Sequence, residues 1–139
     1  MLKNAISLSR MILFSHAKIN IGLQILEKRR DGFHNLSSVM YPTGLCDILE
    51  VKPRPTGEEV FQFSQSGRLI NSDPEANLFT KAWRAFSEHS SLPPLKIHLH
   101  KQIPVGAGLG GGSSNASTAL KAMNHLSRES LAPDLLENL

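Results

Sequence analysis

The sequence has one cysteine and no long apolar run. The lone cysteine, Cys46, excludes an internal disulfide and a cysteine-based zinc site. No apolar run approaches the roughly 18 residues that a membrane-spanning helix needs. Of the 139 residues, 40% are hydrophobic and 19% are charged, which is typical of a globular chain and too apolar for a disordered one. A chain of this length has room for one compact domain.

Acidic residues are absent from two long segments, residues 1–26 and 89–128. The net charge of +3 is too small to indicate a nucleic-acid partner by itself, and no stripe of basic and aromatic residues supports RNA binding. Five of the ten glycines lie between residues 106 and 112, inside the second of these segments. Because the backbone N–H groups of a glycine loop and of a helix N-terminus attract anions, this segment predicts an anion site.

Residues 1–10 precede a second methionine, Met11. The apolar run at residues 11–14 is shorter than the core of a secretory signal, and ten residues are few for an organelle transit peptide. We expect translation to start at Met11, with residues 1–10 outside the folded domain at 11–139. The lone cysteine fits a reducing compartment, so we expect a location in the bacterial cytoplasm, with a plastid as the alternative.

Apolar–polar alternation predicts a series of strands in the first half of the chain. The predicted strands cover residues 12–17, 19–26, 36–41, 48–51 and 60–63, with Pro42 closing the third. Asp31-Gly32, between the second and third of these strands, is a strong hairpin signal.

Helical spacing dominates the second half of the chain. Asp73 before Pro74 resembles a helix start, and apolar residues between Leu78 and Phe86 follow at helical intervals. A strand is predicted at residues 95–100, one helix after the glycines and another from residue 132. Strands followed by helices predict an α+β fold in which helices pack on a largely antiparallel sheet.

The glycine loop has several possible interpretations. It comprises Pro104, Gly106, Gly108, Leu109, Gly110, Gly111 and Gly112, followed by Ser113 and Ser114. Either serine is a natural cap for the helix that follows. The loop lacks the Gly-Lys-Ser/Thr ending of a Walker motif and the valine of a protein-kinase loop. Its spacing matches a dinucleotide fingerprint formally, but the order of elements is not strand–helix–strand. A flexible glycine turn without a ligand is the remaining alternative.

Three segments together resemble one known family. Pro104, Gly108-Leu109-Gly110 and the serine pair resemble the central motif of the GHMP kinases, the superfamily of galactokinase, homoserine kinase, mevalonate kinase and phosphomevalonate kinase. Residues 17–23 (AKINIGL) and 30–36 (RDGFHNL) are similar to the earlier motifs of the branch that phosphorylates a methylerythritol carrying a cytidine diphosphate group. The resemblance implies a GHMP-kinase N-terminal domain with a glycine-rich phosphate loop before a helix.

The resemblance also implies a reaction. Its substrate would be a small molecule with a cytidine diphosphate group, its cofactors ATP and Mg²⁺, and its partners would include neither nucleic acid nor membrane. Phosphoryl transfer needs positioning and charge neutralisation more than covalent chemistry. Another GHMP small-molecule kinase and a noncatalytic nucleotide-binding module remain as alternatives.

The matched motifs imply which residues would act in catalysis and which would bind the substrate. Lys18 matches the family's catalytic lysine, whose charge would stabilise the transferring group; the alternative is a solvated strand lysine. Asn20 lies on the same strand face and matches a substrate-contacting asparagine. His34 matches the histidine that reads the cytosine edge. Phe33 stands where many members carry a tyrosine that stacks on the base, and Met40 stands where many carry another aromatic residue.

ATP-binding residues follow in the same way. Asn77 matches an adenine contact, with a helix cap as the alternative. Lys101 matches a nucleotide-facing lysine, with a surface lysine as the alternative. Ser113 and Ser114 would serve the phosphates or Mg²⁺. Pro104 and the loop glycines complete the implied ATP site.

Two features of the family are missing. Members carry a catalytic aspartate after this helix, in a Gly-Ala-Asp-Val-Pro-like motif, and a second domain. Here Glu129, Asp134 and Glu137 are the acids after the loop, and none has that context. We therefore expect a truncated N-terminal domain that binds ATP weakly and transfers phosphoryl groups negligibly. His98 and His100 share a strand face without a third metal ligand, so no metal site is predicted there.

Overall fold

The computed structural model describes residues 10–70 and 77–139. In chain order they form the strands and helices β1 (Met11–Lys28), β2 (His34–Pro53), β3 (Phe61–Gly67), α1 (Leu78–Ser87), β4 (Leu95–Lys101), α2 (Gly111–Leu126) and α3 (Pro133–Glu137). Strands precede most of the helices, as the α+β prediction requires. Residues 1–9 of the predicted leader lie outside the described ranges.

The four strands form one mixed sheet in the order β1-β2-β4-β3. β2 is antiparallel to both β1 and β4, whereas β3 runs parallel to β4. The inward residues of β4, Leu95, Ile97 and Leu99, are fully buried and belong to the same core as Phe86 of α1 and Met123 of α2. The alternation of apolar residues in β4 therefore places the helices on one face of the sheet, as predicted.

β1 and β2 are longer than the sequence predicts. The strands expected at 12–17 and 19–26 are one strand of 18 residues, and β2 continues through Pro42. The prediction that Pro42 ends a strand was wrong. It lies opposite Lys18, beside a register shift between His16 and Lys18, and proline is tolerated at such an irregularity.

The outer part of the β1–β2 hairpin leaves apolar side chains exposed. Ile21 and Val39 pair across the strands, as do Ile25 and Leu36, and all four are more than half exposed. In this part of the hairpin the alternation of apolar and polar residues predicted the strands correctly. It would also suggest that the apolar face is buried, and that face is exposed.

The helix starts differ from the predicted ones. α1 begins at Leu78, with Asn77 as its N-cap; the predicted start at Asp73 and Pro74 lies outside the described residues. α2 has Gly110 as its N-cap, in the left-handed conformation and without a side-chain cap. The prediction of Ser113 or Ser114 as the cap was wrong, because the chain enters the helix through a backbone conformation that favours glycine. Within 10–70 and 77–139, no helix is long and apolar enough to span a membrane.

Candidate phosphate-binding site

The glycine loop joins β4 to α2 and forms one wall of a cavity of about 380 Å³. Gly106, Gly108 and Gly110 have φ angles of 72°, 72° and 69°. A β-carbon on Gly110 would lie 3.1 Å from the Lys18 side chain, and one on Gly111 would lie 2.9 Å from that of Ile103. Gly111 therefore needs glycine for space, whereas Gly110 needs it for its backbone conformation and packs closely on Lys18.

The N-terminal end of α2 points into this cavity, which Gly111, Gly112 and Ser113 line. α2 has 16 residues, and its first turn contains no acidic residue. Unpaired N–H groups and the helix dipole therefore give this end of the cavity a positive potential. The anion site that the acid-free segment predicts would lie at this end of the cavity.

Lys18 connects β1 to the loop. Its ammonium group donates to the carbonyl of Gly108 at 3.1 Å and to Oδ1 of Asn20 at 3.2 Å. Its backbone N–H donates to the carbonyl of Leu109 at 2.9 Å. The structure thus brings Lys18 and Asn20 together with the loop, and it holds a cation at the loop's edge.

The two predicted serines have different environments. Ser113 is exposed and lines the cavity. Ser114 accepts a 2.8 Å hydrogen bond from the hydroxyl of Ser15, which is buried in β1. Ser114 therefore helps to fix α2 against the sheet, and Ser113 is the serine that faces the open space.

Asn77, the N-cap of α1, also lines the cavity. Its side-chain oxygen accepts a 2.8 Å hydrogen bond from the N–H of Phe79, and the residue is 7% exposed. The cap interpretation is therefore confirmed. Because the residue also lines the cavity, a contact with a bound molecule is compatible with the cap.

Lys101 has a partner that the sequence did not reveal. Its ammonium group is ion-paired with Asp47 of β2, and both side chains are almost completely buried. Lys101 also lines the cavity, and its Nζ would lie 3.0 Å from a β-carbon on Gly111. The surface-lysine alternative is therefore wrong. The Lys101–Asp47 ion pair lies next to Gly111, the first residue of α2.

Asp47 accepts four hydrogen bonds in all. The other three come from the N–H groups of Gln102 and Ile103, at 2.7 and 2.8 Å, and from Nδ2 of Asn115, at 3.0 Å. Burial raises the pKa of the Asp47 carboxyl, but the bonds from Lys101, Ile103 and the other donors outweigh it and hold this pKa below its usual value.

Sequence reasoning missed Asp47, although a signal was present. Asp47 continues the buried alternation of Leu49 and Val51 in β2, and Lys101 continues that of Leu99 in β4. Two opposite charges that each extend an inward face indicate a buried pair if the strands are neighbours.

Asn115 is the second residue that the sequence assignments left out. It is 2% exposed and lines the cavity. Its Oδ1 atom has no hydrogen-bond partner within the described part of the chain. A buried acceptor without a partner is costly, so a donor on a bound molecule would stabilise this position.

The predicted base-recognition residues lie elsewhere. Phe33 is in the hairpin turn and is 72% exposed, while His34 pairs with Lys28 at the outer end of the strands. Lys28 lies ten positions along β1 from Lys18. The structure does not bring Phe33 or His34 to the cavity, and Met40 is exposed as well.

The two histidines of β4 make contacts that explain them without a metal. Both ring nitrogens of His98 hydrogen-bond to hydroxyls, those of Ser64 and Ser66, at 2.9 Å, and Ser66 also contacts His100 at 3.0 Å. In the described residues, no group of three metal-ligating side chains is found.

Comparisons with known proteins match this geometry. The GHMP kinases N terminal domain family matches residues 77–139. A 4-diphosphocytidyl-2-C-methyl-D-erythritol kinase of Bacteroides thetaiotaomicron is 48% identical over 127 residues, covering 91% of this chain and 46% of the relative. One of Porphyromonas gingivalis is 50% identical over 111 residues, or 80% of this chain and 40% of the relative. The chain thus spans about half the length of the curated relatives it matches.

Solved structures agree at the level of the fold. A crystal structure of 4-(cytidine 5'-diphospho)-2C-methyl-D-erythritol kinase superposes with a TM-score of 0.75 at 32% identity, covering 92% of this chain and 45% of that one. Mevalonate pyrophosphate decarboxylase from Streptococcus pyogenes superposes with a TM-score of 0.61 at 23% identity, over 88% of this chain and 39% of that one. The second match shows the shared fold alone.

Proposed function

The chain has the fold of the N-terminal domain of the GHMP kinases, and from this premise we propose that it acts in the ATP-dependent phosphorylation of a hydroxyl group of 4-diphosphocytidyl-2-C-methyl-D-erythritol. One observation carries the proposal: the Lys18 ammonium is fixed at the edge of a glycine loop that opens onto a helix N-terminus. Relatives named for this kinase support the choice of substrate. Because the chain spans about half their length, the proposal concerns the reaction to which this domain contributes.

The cavity is where ATP would bind. The phosphates of ATP would accept from the free N–H groups at residues 111–113, and none of the described residues that line the cavity carries a carboxylate. Pro104 and Leu109 shape the loop around these phosphates. Asn77 and Lys101 also line the cavity, and Asn115 offers an acceptor to a nucleotide donor. Lys101 would act there mainly by neutralising the charge of Asp47.

Mg²⁺ fits this site only as an ion that the nucleotide brings. Mg²⁺ keeps several waters and is commonly held by phosphates with one or two protein oxygens. Of the two loop serines, Ser113 has the hydroxyl that lines the cavity, since that of Ser114 is bonded to Ser15. The ion would neutralise phosphate charge, and Ser113 would orient it.

Lys18 and Asn20 would serve the transfer step. The bond between the γ-phosphorus and the bridging oxygen of ATP breaks and ADP leaves with that oxygen. The substrate hydroxyl oxygen bonds to the γ-phosphorus, and its proton passes to a base outside the described residues. The Lys18 cation lies where negative charge develops on the transferring group. Asn20, 3.2 Å from that cation, would hold the substrate hydroxyl in line.

His34 and Phe33 would recognise the cytosine. A neutral imidazole offers one donor and one acceptor to a base edge, and the exposed ring of Phe33 has a free face for stacking. Their position on the outer hairpin would separate base recognition from the phosphate site along the length of β1.

A nucleotide-binding module without transfer activity is the second candidate. The observation that favours it is the set of contacts around Lys18. Its ammonium contacts an amide oxygen and a backbone carbonyl, and no carboxylate lines the adjacent cavity among residues 10–70 and 77–139. The substrate proton would then have no acceptor within the described residues. Such a module would bind ATP and leave it intact.

Two measurements test the proposal. Calorimetry with ATP and ADP tests the site in this chain. A hybrid of residues 11–139 with the remaining half of the Bacteroides thetaiotaomicron relative, given ATP and substrate, tests transfer by mass spectrometry of the product. Binding by the chain with turnover by the hybrid supports the kinase. Binding with no turnover in the hybrid supports the second candidate. Failure of the chain to bind ATP at millimolar concentration would overturn both.

A further inference from the structure

Asp47 is a buried carboxylate to which the proposed reaction gives no part. Asp47 belongs to β2, lies opposite Ser15 of β1 in the strand register and has no exposed surface. Burying a charge in this way is costly unless it is paired and fully hydrogen-bonded. Four donors form hydrogen bonds to the Asp47 carboxylate. Their positions in the chain indicate a role for Asp47 beyond stabilising the fold.

The donors flank the glycine loop on both sides. Oδ1 accepts from the N–H groups of Gln102 and Ile103, the two residues directly before Pro104. Oδ2 accepts from Nδ2 of Asn115, in the second turn of α2, and from Lys101. One carboxylate thus fixes the point where the chain leaves β4 and the point where it has entered α2.

We propose that Asp47 is a positioning residue that holds both ends of the phosphate loop in their binding arrangement, with Lys101 as its counter-ion. Between these two anchors lie residues 104–114, including the free N–H groups of the helix start. Fixing both ends reduces the ordering that a bound phosphate would otherwise have to supply. That the ligand is ATP rests on the function proposed above; the effect on the loop does not.

The positive charge of Lys101 is needed because the Asp47 carboxylate lies close to the proposed phosphate site. A carboxylate beneath an anion site would repel phosphate, and interactions between charges are strong where water is excluded. The Lys101 ammonium contacts Asp47 and lies next to Gly111, so the pair is neutral as seen from the cavity. The field at the phosphates is then set by the helix start and by Lys18.

Four variants separate positioning from general stability. Asp47→Asn keeps one acceptor for the two N–H groups but places an amide donor against Lys101 and Asn115. Lys101→Met leaves the carboxylate without its counter-ion, and the double variant Asp47→Asn/Lys101→Met removes both charges. Asn115→Ala removes only the anchor in α2.

Two further variants are controls. Met123→Ala, in the core, is the control for lost stability. Glu58→Gln, which breaks the ion pair with Arg54 near the protein surface, is the control for a lost carboxylate.

The first readout is hydrogen exchange of the peptide covering residues 102–116, which contains the hydrogen-bonded amides of Gln102, Ile103 and Ser114, in the ligand-free chain under native conditions. We expect exchange to be at least about tenfold faster in Asp47→Asn and Asn115→Ala, and near wild type in both controls. Loop exchange that is unchanged in Asp47→Asn and Asn115→Ala, or that rises equally in Met123→Ala, would overturn the proposal.

The second readout is ATP affinity. We expect Asp47→Asn and Lys101→Met each to weaken binding about tenfold or more, and the double variant to bind about as weakly as Asp47→Asn alone, because the anchor is still lost whereas the unpaired carboxylate of Lys101→Met is gone. If Lys101→Met does not fold, the double variant and Asn115→Ala decide the same question. A double variant as weak as the sum of its parts would contradict the role of Lys101 as counter-ion. If the wild-type chain does not bind ATP, the proposed function fails, whereas the exchange measurement still decides the role of Asp47.

Discussion

The ammonium group of Lys18 lies 3.1 Å from the carbonyl oxygen of Gly108, although the two residues are 90 positions apart in the chain. A second bond, from the Lys18 N–H to Leu109, keeps the strand and the loop together at this point. The cation is thus held by backbone contacts that do not depend on a ligand. A group fixed in this way stabilises developing charge without reorganising.

Replacing Lys18 should separate catalysis from nucleotide binding. In the hybrid with the relative's second half, we expect Lys18→Met to lower kcat by about a hundredfold or more, with the KM for ATP changed by less than about threefold. Lys121→Met, an exposed lysine of α2, is the matched control and should leave both constants unchanged. An unchanged kcat in Lys18→Met would remove Lys18 from the mechanism.

Substitutions at Gly106 and Gly110 should differ in their effect on stability although the two residues have similar φ angles. Gly106→Ala and Gly110→Ala each introduce a β-carbon at a φ near 70°, which costs about 1–2 kcal/mol. Nothing lies within 4 Å of the new atom at Gly106, whereas the Lys18 side chain lies 3.1 Å away at Gly110. We therefore expect urea unfolding to show a larger loss in Gly110→Ala, and calorimetry to show weaker ATP binding there. Equal effects of the two substitutions would contradict the packing of Lys18 on Gly110.

Asn77 has two roles that two substitutions can distinguish. Asn77→Ala removes the cap of α1 and should cost about 1 kcal/mol in urea unfolding. Asn77→Asp keeps a capping oxygen and should retain stability, but it adds a negative charge to the cavity wall and should weaken ATP binding. If Asn77→Asp binds ATP as well as wild type, the side chain caps the helix and does not contact the nucleotide.

Stability should fall in acid through Asp47. Its pKa is lower in the folded chain than the usual value of 3.8, so the folded state binds fewer protons than the unfolded state near that pH. The stabilisation is therefore fully present above pH 3.8 and is lost as pH falls through the folded value. We expect the free energy of unfolding, measured in urea between pH 6 and pH 2, to fall less steeply in Asp47→Asn than in wild type. Glu58→Gln should follow the wild-type slope more closely, and identical slopes in all three would contradict the shift.

The loop, β4 and both long helices could be predicted because each follows from local pattern. Leu95, Ile97 and Leu99 alternate, the glycines mark the loop, and the apolar residues of α2 recur at helical spacing. The length of β1 could not be predicted, because its continuity past Lys18 depends on a bulge that accommodates Pro42 from another strand. The cap of α2 was missed because a left-handed glycine left the two serines inside the helix.

The buried pair under the loop needed one fact that no local pattern contains. Asp47 and Lys101 each extend an inward face, but 54 residues separate them. Only the antiparallel pairing of β2 with β4, in which Ile48 faces His100, makes them neighbours. Alternation could place each charge in the interior, whereas the identity of its partner depended on the order of strands in the sheet.

The pairing of Asp47 with the loop also has a consequence for the order of folding. Asp47 belongs to the β1–β2 hairpin, whose contacts are close in sequence, while its donors at residues 101–115 arrive only when β4 docks on β2. Contacts of long sequence separation form slowly, since the intervening chain must be closed first. The loop can take its binding shape only after that docking step. In a refolding experiment, ATP binding should therefore appear after the hairpin signal, together with burial of the β4 core.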